Sequence, residues 1–485
     1  MKALSVSALA KAVGGKIIYG DGDKQITSVS TNSKEIKEGA LFVPIVGERV
    51  DAHKFISMAL EAGAVATFTA KEVEEFKAEK VYIQVSDTLE ALQSAAAYYR
   101  SLFSFTLIGI TGSVGKTTTK EMIAAALETK KKVVKTKGNM NSQVGLPLMM
   151  FEIEEDTEVA VIEMGMSEVG EMSRLASIAK PDIAVLTNIG VSHIGQLGSK
   201  ENIRKEKMNI INQFNGNNLV FVNGNDILLQ EIKTFSHDCR NGNLVSTPLF
   251  DEDTREKLGE IQVLEYGMQA NCGYRGENII NEGSHTHFQY ISEQYKEDIT
   301  LSVLGNHNVN NAVVALAIGE YFGIPPMEAK KGLEKYQPIE KRGQITNHKG
   351  IVIVDDTYNA SPDSMKSGID MLLSMPDIQR RIAVLADVLE LGDVSRECHY
   401  EVGTYIGKGN QDGKKLDILV SVGTQAKAIC EGAEAITKDI CTKYFTEKGQ
   451  AIIYLKEMAS KGDGILVKGS RGMHMEDVVT ALQSM

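Results

Sequence analysis

The chain is predicted to be an α/β protein of three domains, and three observations carry that expectation. Its 485 residues are too many for one domain at about 100–200 residues each. Short apolar runs alternate with helical stretches, the pattern of a sheet covered by helices on both faces. That pattern lapses from about residue 228 to 304, and Pro338 and Gly343 mark a second break. Domains are therefore expected over residues 1–100, 101–337 and 338–485.

The elements follow in order. "MKALSVSALAKAVGGKIIYG" is mildly apolar, but Lys11 interrupts it, so it reads as a short amphipathic helix rather than a signal peptide. "ALFVPIVG" and "VYIQV" are strands of the first unit, and the helical "LEALQSAAAYYRSLF" leads into the second. There "FTLIGIT", "VVKT", "EVAVIEM" and "DIAVLTN" read as buried parallel strands, with "NLVFVN" closing the run. "HFQYISEQYKEDITLSVLG" alternates like an exposed antiparallel pair, and helices return at "NNAVVALAIGEYFG" and "MEAKKGLEKY". The third unit is again α/β, with strands at "GIVIVDDTY", "RIAVLADV", "LDILVSVG" and "GDGILVKGS".

Composition narrows the function. A net charge of -12 argues against a dedicated nucleic-acid binder, which usually carries a basic face. No stretch approaches the roughly 20 apolar residues of a membrane span. Cys239, Cys272, Cys398, Cys430 and Cys441 are odd in number and never form C-x-x-C, which fits free thiols in a reducing compartment. A cytoplasmic protein is expected.

"GITGSVGKTTTKEM" runs from Gly109 to Met122 between an apolar strand and a helix, the context a phosphate loop needs. The usual G-x-x-x-x-G-K-[ST] pattern would start at Ile110, so its leading glycine is absent, and Gly112 supplies flexibility instead. Backbone N–H groups from Gly112 through Ser113, Val114, Gly115 and Lys116 to Thr117 are expected to face phosphates at the positive end of the helix dipole. Lys116 would reach the β- and γ-phosphates, and the Thr117 hydroxyl, beside Thr118, would ligate Mg²⁺. The chain has no Asn-Lys pair, so a guanine-reading N-K-x-D motif is excluded.

Glu163 ends a parallel strand, where acidic groups face the ligand crevice. It reads either as a Mg²⁺ ligand or as a solvated, capping glutamate. "TNIGVSHIG" brings Asn188 and His193 to the same edge, His193 as a hydrogen-bonded residue or as a metal or phosphate ligand. In "SKENIRKEKMNIINQF", helical spacing places Ile203, Ile210, Ile211 and Phe214 on one face with Lys207 in its middle, while Lys205 points away. A lysine there either snorkels or pairs, or reacts with CO₂ to a carbamate that offers oxygen ligands to a second Mg²⁺.

Together these segments resemble the Mur ligases, the ATP-dependent amide ligases of bacterial cell-wall synthesis. In that family the loop reads T-G-[ST]-x-G-K-[ST]-[ST], which "TGSVGKTT" matches. The likeness spans nearly the whole chain. It includes "TNSKEIKEGALFVPIVGERVDAHKF", "TKGNMNSQVGLP", "EMGMSEVGEM", "TNIGVSHIGQLGS", "GNHNVNNAVVAL", "VDDTYNASPDSM", "DVLELG" and "VKGSRGMHME". "EMGMSEVGEM", "DDTYNASPDSM" and "DVLELG" look like the branch that adds D-alanyl-D-alanine to UDP-N-acetylmuramoyl-tripeptide. The D-N-P-R signature of the diaminopimelate-adding branch is absent.

The resemblance implies ATP, two Mg²⁺ ions and a carbamylated Lys207, with Thr117, Glu163 and His193 as further metal ligands. Lys116, Lys207, His193 and Glu163 would carry the catalysis. It implies that His307, Asn308 and Asn311 approach the adenine, and that Arg342 and Asp356 reach the ATP phosphates and ribose, with Tyr358 and Asn359 on the same loop. Ser33, Glu48 and Arg49 would hold the uridine diphosphate end of the substrate, and Asn139, Asn141 and Ser142 would face it. The implied fold is a UDP-sugar-binding domain, a central phosphate-loop domain and a C-terminal Rossmann-like domain for the incoming dipeptide, acting as a monomer. Two departures stand out. The usual D-S-R reads Asn32-Ser33-Lys34, losing a bidentate arginine, and Ser142 replaces a second asparagine. The rival readings are a relative adding a single amino acid and a nucleotide-switched binding protein. His285 and His287 have metal-like spacing and read as surface residues.

Overall fold

The computed structural model describes residues 1–240, 250, 252–410 and 413–485. Its strands form three main sheets. The N-terminal sheet has five strands in the order Lys16–Tyr19, Val81–Gln84, Ala66–Thr69, Ala40–Phe42 and Ser28–Ser30. Only its first pair is antiparallel. The amphipathic N-terminal helix is Val6–Ala12, started by the Ser5 hydroxyl, which accepts from the Ala8 N–H.

The helix Thr88–Arg100 starts where the Asp87 carboxylate accepts from the Leu89 and Glu90 N–H groups. It buries Leu92, Ala95, Ala96 and Tyr99 in an apolar core that runs without a break from Leu4 into the central unit. The Tyr99 hydroxyl donates to the Ile153 carbonyl at 2.8 Å and accepts from the Lys2 N–H at 2.7 Å. Arg100 Nε donates to the Ala179 carbonyl at 3.0 Å. The first and second units thus share one core.

The central sheet has nine strands. Val133–Lys135, Val159–Glu163, Thr106–Thr111, Ile183–Leu186, Leu219–Asn223 and Gln262–Gly267 lie parallel in that spatial order. Tyr274–Glu282 then begins an antiparallel meander through His285–Ile291 and Lys296–Leu301. The parallel run therefore does not close at "NLVFVN", as expected, but continues through Gln262–Gly267 to the start of Tyr274–Glu282, which pairs parallel to it. "QVLEYG" hides from an apolar-run reading because Glu265 interrupts it. That carboxylate is buried, held by Lys233 Nζ at 2.6 Å. The antiparallel pair stands as expected, and His285 and His287 lie on its outer side, His287 Nδ1 3.0 Å from Thr300 Oγ1.

The third sheet runs Gln344–His348, Ile351–Asp356, Asp463–Lys468, Arg380–Ala386, Ile418–Val422 and Cys441–Phe445. Only its first pair is antiparallel. Both larger sheets point the carboxyl ends of their parallel strands into the cleft between them, the edge where open α/β sheets bind ligands. No helix among the described residues is long and apolar enough to cross a membrane.

Candidate functional site

The strand Thr106–Thr111 delivers the phosphate-loop sequence to this cleft, and the helix Lys116–Leu127 leaves it. Ile110, at the place of the missing glycine, is a fully buried strand residue paired beside Val185 and Glu163. The turn starts later. Gly112 has φ +154°, and a Cβ there would lie 1.9 Å from Thr187 Oγ1, so only glycine fits. Gly115 caps the helix in the left-handed region at φ 84° with no side-chain cap, leaving the first-turn N–H groups without intrahelical acceptors.

The loop is braced from the neighbouring strand. Ser113 N–H donates to the Asn188 carbonyl at 3.1 Å and Val114 N–H to Asn188 Oδ1 at 2.8 Å. Two of the N–H groups expected to face phosphate are therefore spent on Asn188, because the sharp turn brings them over that residue. The Ser113 hydroxyl accepts from Gly190 N–H at 2.9 Å. Lys116 Nζ curls back onto the Gly112 carbonyl at 2.7 Å.

Around the loop mouth stand Lys116, His193, Lys207 and Glu163. Glu163 is buried; its Oε1 accepts from Asn141 Nδ2 at 2.7 Å, while Oε2 has no hydrogen-bond partner. A buried carboxylate oxygen without a donor is costly and is suited to a cation. Burial holds the Lys116 ammonium below its ordinary range, with Glu163 opposing and Arg342 adding to the shift. Burial, then Lys116 and Lys207, bring His193 down to about 4, so its ring is neutral at pH 7. Lys207 is buried in the middle of its helix face, Lys200–Met208, with Lys205 exposed as the spacing predicts. Burial, then Lys116, push its amine well below the usual lysine range. Among the described residues its Nζ has no hydrogen bond or ion pair, so pairing does not account for it. Thr117 is buried beside them.

Among the described residues no three His, Cys, Asp or Glu groups gather as a metal cage. One carboxylate, one imidazole and a hydroxyl suit Mg²⁺, which keeps waters and takes phosphate oxygens rather than filling an all-protein shell.

The other expected residues fall into three groups. Of the residues expected near the adenine, His307 is exposed, within electrostatic reach of Asp356 and Lys468. Asn308 and Asn311 are buried and bonded within the protein. Asn308 Nδ2 donates to the Leu304 carbonyl at 2.8 Å, and Asn311 Oδ1 accepts from Thr119 Oγ1 at 2.9 Å. Asn311 thereby ties the helix Asn306–Tyr321 to the loop helix. From the third unit, the Arg342 guanidinium lies 3.9 Å from the Tyr358 ring centre. Asp356 pairs with Lys468 Nζ at 2.6 Å, and Asn359 Oδ1 accepts from Arg471 N–H at 3.3 Å. On the N-terminal side, Glu48 and Arg49 are exposed and Ser33 is buried in its loop. Asn141 N–H donates to the Asn139 carbonyl at 2.8 Å, and Ser142 Oγ accepts from Gly145 N–H at 3.3 Å. Asn141 thus faces Glu163.

Sequence reasoning assigned no role to Glu390, Asp363 or Lys468, although "DVLELG", "SPDSM" and "VKGS" were in view. Glu390 Oε2 lies 3.2 Å from His193 Nδ1. Asp363 Oδ2 accepts from Val191 N–H at 3.3 Å. These contacts cross between units, which local sequence patterns do not report.

Residues 25–100 match the Mur ligase family catalytic domain, 110–241 the Mur ligase middle domain and 341–471 the Mur ligase glutamate ligase domain. The chain is 36% identical over 480 residues to the UDP-N-acetylmuramoyl-tripeptide--D-alanyl-D-alanine ligase of Bacillus subtilis (strain 168), covering 99% of this chain and 98% of that one. A crystal structure of MurF from Acinetobacter baumannii superposes with a TM-score of 0.87 at 27% identity, covering all of both chains. MurF ligase from Thermotoga maritima in complex with ADP superposes at 0.78, with 28% identity over 94% of this chain and 97% of that one. Matched over nearly its full length by these comparisons, the chain belongs to the Mur ligase family.

Proposed function

We propose that this chain is an ATP-dependent ligase that joins D-alanyl-D-alanine to UDP-N-acetylmuramoyl-tripeptide, a cytoplasmic step of peptidoglycan synthesis. The observation that carries the substrate assignment is the end-to-end similarity to the Bacillus subtilis enzyme of that name. The ADP bound in the Thermotoga maritima relative supports nucleotide use.

A free carboxylate is a poor acyl donor because oxide is a poor leaving group. Phosphorylation by ATP supplies a better one. First-turn N–H groups and Lys116 hold the β- and γ-phosphates where charge develops during transfer. Thr117, Glu163, His193 and a carbamylated Lys207 would hold two Mg²⁺ ions, whose charge offsets that of the phosphates. The carbamate would form when the neutral Lys207 amine adds to CO₂ and releases a proton, and burial favours that uncharged amine. Asn141 orients Glu163.

The dipeptide amine then attacks the acyl phosphate, and the tetrahedral intermediate expels phosphate. Loop N–H groups and Lys116 face its oxyanion. Ser33, Glu48, Arg49, Asn139 and Ser142 hold the UDP-linked end. Arg342, Asp356, Tyr358 and Asn359 close over the nucleotide with His307, and residues 338–485 bring the dipeptide as a domain. Closure excludes water, which would hydrolyse the acyl phosphate. The three expected domain spans serve these three ligands in one polypeptide, acting as a monomer.

The deciding assay is phosphate release from ATP with UDP-N-acetylmuramoyl-tripeptide, with and without D-Ala-D-Ala. Release that needs both is expected. Release with neither would mean a plain nucleotidase.

A further inference from the structure

A dipeptide acceptor carries two charged groups. Its amine must give up a proton before it attacks, so it has to stay free. The carboxylate is the handle that remains, and the planar fork of an arginine holds a carboxylate better than a point charge does.

Around Tyr358, at the carboxyl edge of the third sheet, stand Lys341, Arg342, Lys468 and Arg471. The first three have other engagements. Lys468 Nζ is held by the Asp356 carboxylate and the Asn359 carbonyl. Lys341 Nζ donates to Glu476 Oε1 at 3.4 Å. Arg342 lies near enough to the phosphate loop to act on the Lys116 ammonium. Arg471 differs from all of them. Its side chain is 58% exposed, and among the described residues its guanidinium donates no hydrogen bond. Glu476 Oε1, the carboxylate beside it, is 3.9 Å from Nη1, beyond hydrogen-bond reach, and already accepts from Lys341.

We propose that Arg471 is a specificity-determining residue that binds the carboxylate of the dipeptide acceptor. This rests on the reading of that acceptor as D-Ala-D-Ala.

Spacing, anchoring and an apolar neighbour support it. The Tyr358 ring centre is 3.9 Å from the Arg342 guanidinium and 5.8 Å from that of Arg471. The two guanidinium groups are thus at most about 10 Å apart, a gap matched by two extended residues of about 7 Å with a hydrogen bond at the end. An amine directed at a phosphate beside Arg342 therefore leaves its carboxylate within reach of Arg471. The backbone that presents Arg471 is fixed on two sides. Arg471 N–H donates to Asn359 Oδ1 at 3.3 Å, and Ser470 N–H donates to the Asp387 carbonyl at 3.1 Å. Ser470 Oγ accepts from Leu389 N–H at 3.1 Å. Leu389 itself is 56% exposed, and a Cβ on Gly472 would lie 2.9 Å from its Cδ1. An apolar side chain beside an unengaged arginine matches a terminal alanine, which offers a methyl next to its carboxylate.

The test follows phosphate release from ATP with UDP-N-acetylmuramoyl-tripeptide and one of two acceptors. These are D-Ala-D-Ala and D-alanyl-D-alaninamide, which keeps the amine and both methyls but has no carboxylate. The wild type should use the amide about 10–100-fold less efficiently in kcat/KM, the range for losing a hydrogen bond to a charged group. Arg471→Ala should lose the same factor with D-Ala-D-Ala, chiefly through KM. It should use the amide as well as the wild type does, with an unchanged KM for ATP and an unchanged melting temperature. Arg471→Lys should recover part of the loss, since it restores the charge without the fork. A wild-type kcat/KM for D-Ala-D-Ala in Arg471→Ala overturns the proposal. So does an equal fall with both acceptors, or a raised KM for ATP, because the arginine would then serve the loop or the nucleotide. A wild type whose release ignores D-Ala-D-Ala removes the ligase reading itself; a responsive wild type with an unaffected variant removes only this proposal.

Discussion

Lys207 in the central unit and Lys468 in the third each keep 2% of their surface exposed, in opposite circumstances. Lys468 Nζ meets the Asp356 carboxylate at 2.6 Å, the Asn359 carbonyl at 3.0 Å and the Asp356 carbonyl at 3.4 Å. Lys207 meets none, and the strongest charge pressing on it is another cation, Lys116. Its neighbour Glu206 is engaged elsewhere, accepting from Met172 N–H at 2.9 Å and Asn209 Nδ2 at 3.1 Å. A buried polar group is tolerated when partnered and costly when not. The satisfied lysine belongs to the fold, and the unpartnered one is the residue we propose for the carbamate.

Substitution should separate the two. Lys207→Ala is expected to lower ligation by about 10²–10³-fold, the range for losing one preorganised charge-stabilising group, while its melting temperature holds or rises. Short carboxylic acids should restore part of the activity, and full activity without them would sink the carbamate. Lys468→Met should show the reverse signature, losing about 3 kcal/mol in urea unfolding because it strands Asp356. If Lys468→Met is as stable as wild type, the contrast between the two sites collapses.

Smaller changes sharpen the contrast. Asn141→Ala removes the donor at 2.7 Å from Glu163 Oε1 and should weaken Mg²⁺ binding by about 10-fold, with no change in the KM for D-Ala-D-Ala. The smallest effect lies in the third unit, where burial lowers the pKa of His399. Its Nε2 accepts from Val388 N–H, and its Nδ1 lies 2.7 Å from the Ser395 carbonyl. The unfolded chain then binds more protons than the folded one just below the ordinary histidine pKa, so stability falls as pH falls through that range. Thermal melts from pH 7 downward should show that slope, with about 1 kcal/mol at stake for the bond at Nε2. His399→Gln should flatten it.

What was legible in the sequence followed from locality. The loop's strand–turn–helix context lies within a few residues, so its place at a strand end was readable, as was the buried face that carries Lys207. Glu163 and His193 were readable as strand-end residues of a parallel sheet. The groups packed against them were not. Asn141 reaches Glu163, and Glu390 reaches His193, only after separate strands and separate units have been packed together. The spent N–H groups of Ser113 and Val114 depend on Asn188, far along the chain. The strand Gln262–Gly267 escaped notice because Glu265 is buried on the strength of one distant lysine, Lys233.

The core shared through helix Thr88–Arg100 has a practical consequence for dissecting the enzyme. A fragment of residues 1–100 would carry Leu92, Ala95, Ala96 and Tyr99 without the helices Gly145–Met150 and Glu171–Ala179 that lie against them. Such a bared apolar stripe invites self-association, and the remainder, 101–485, would expose the complementary groove. Cutting the chain before the third unit instead would uncover a shorter apolar set, Val191, Ile194 and Leu304. For labels, fusions and truncations, then, the molecule divides usefully into two pieces, although it has three main sheets.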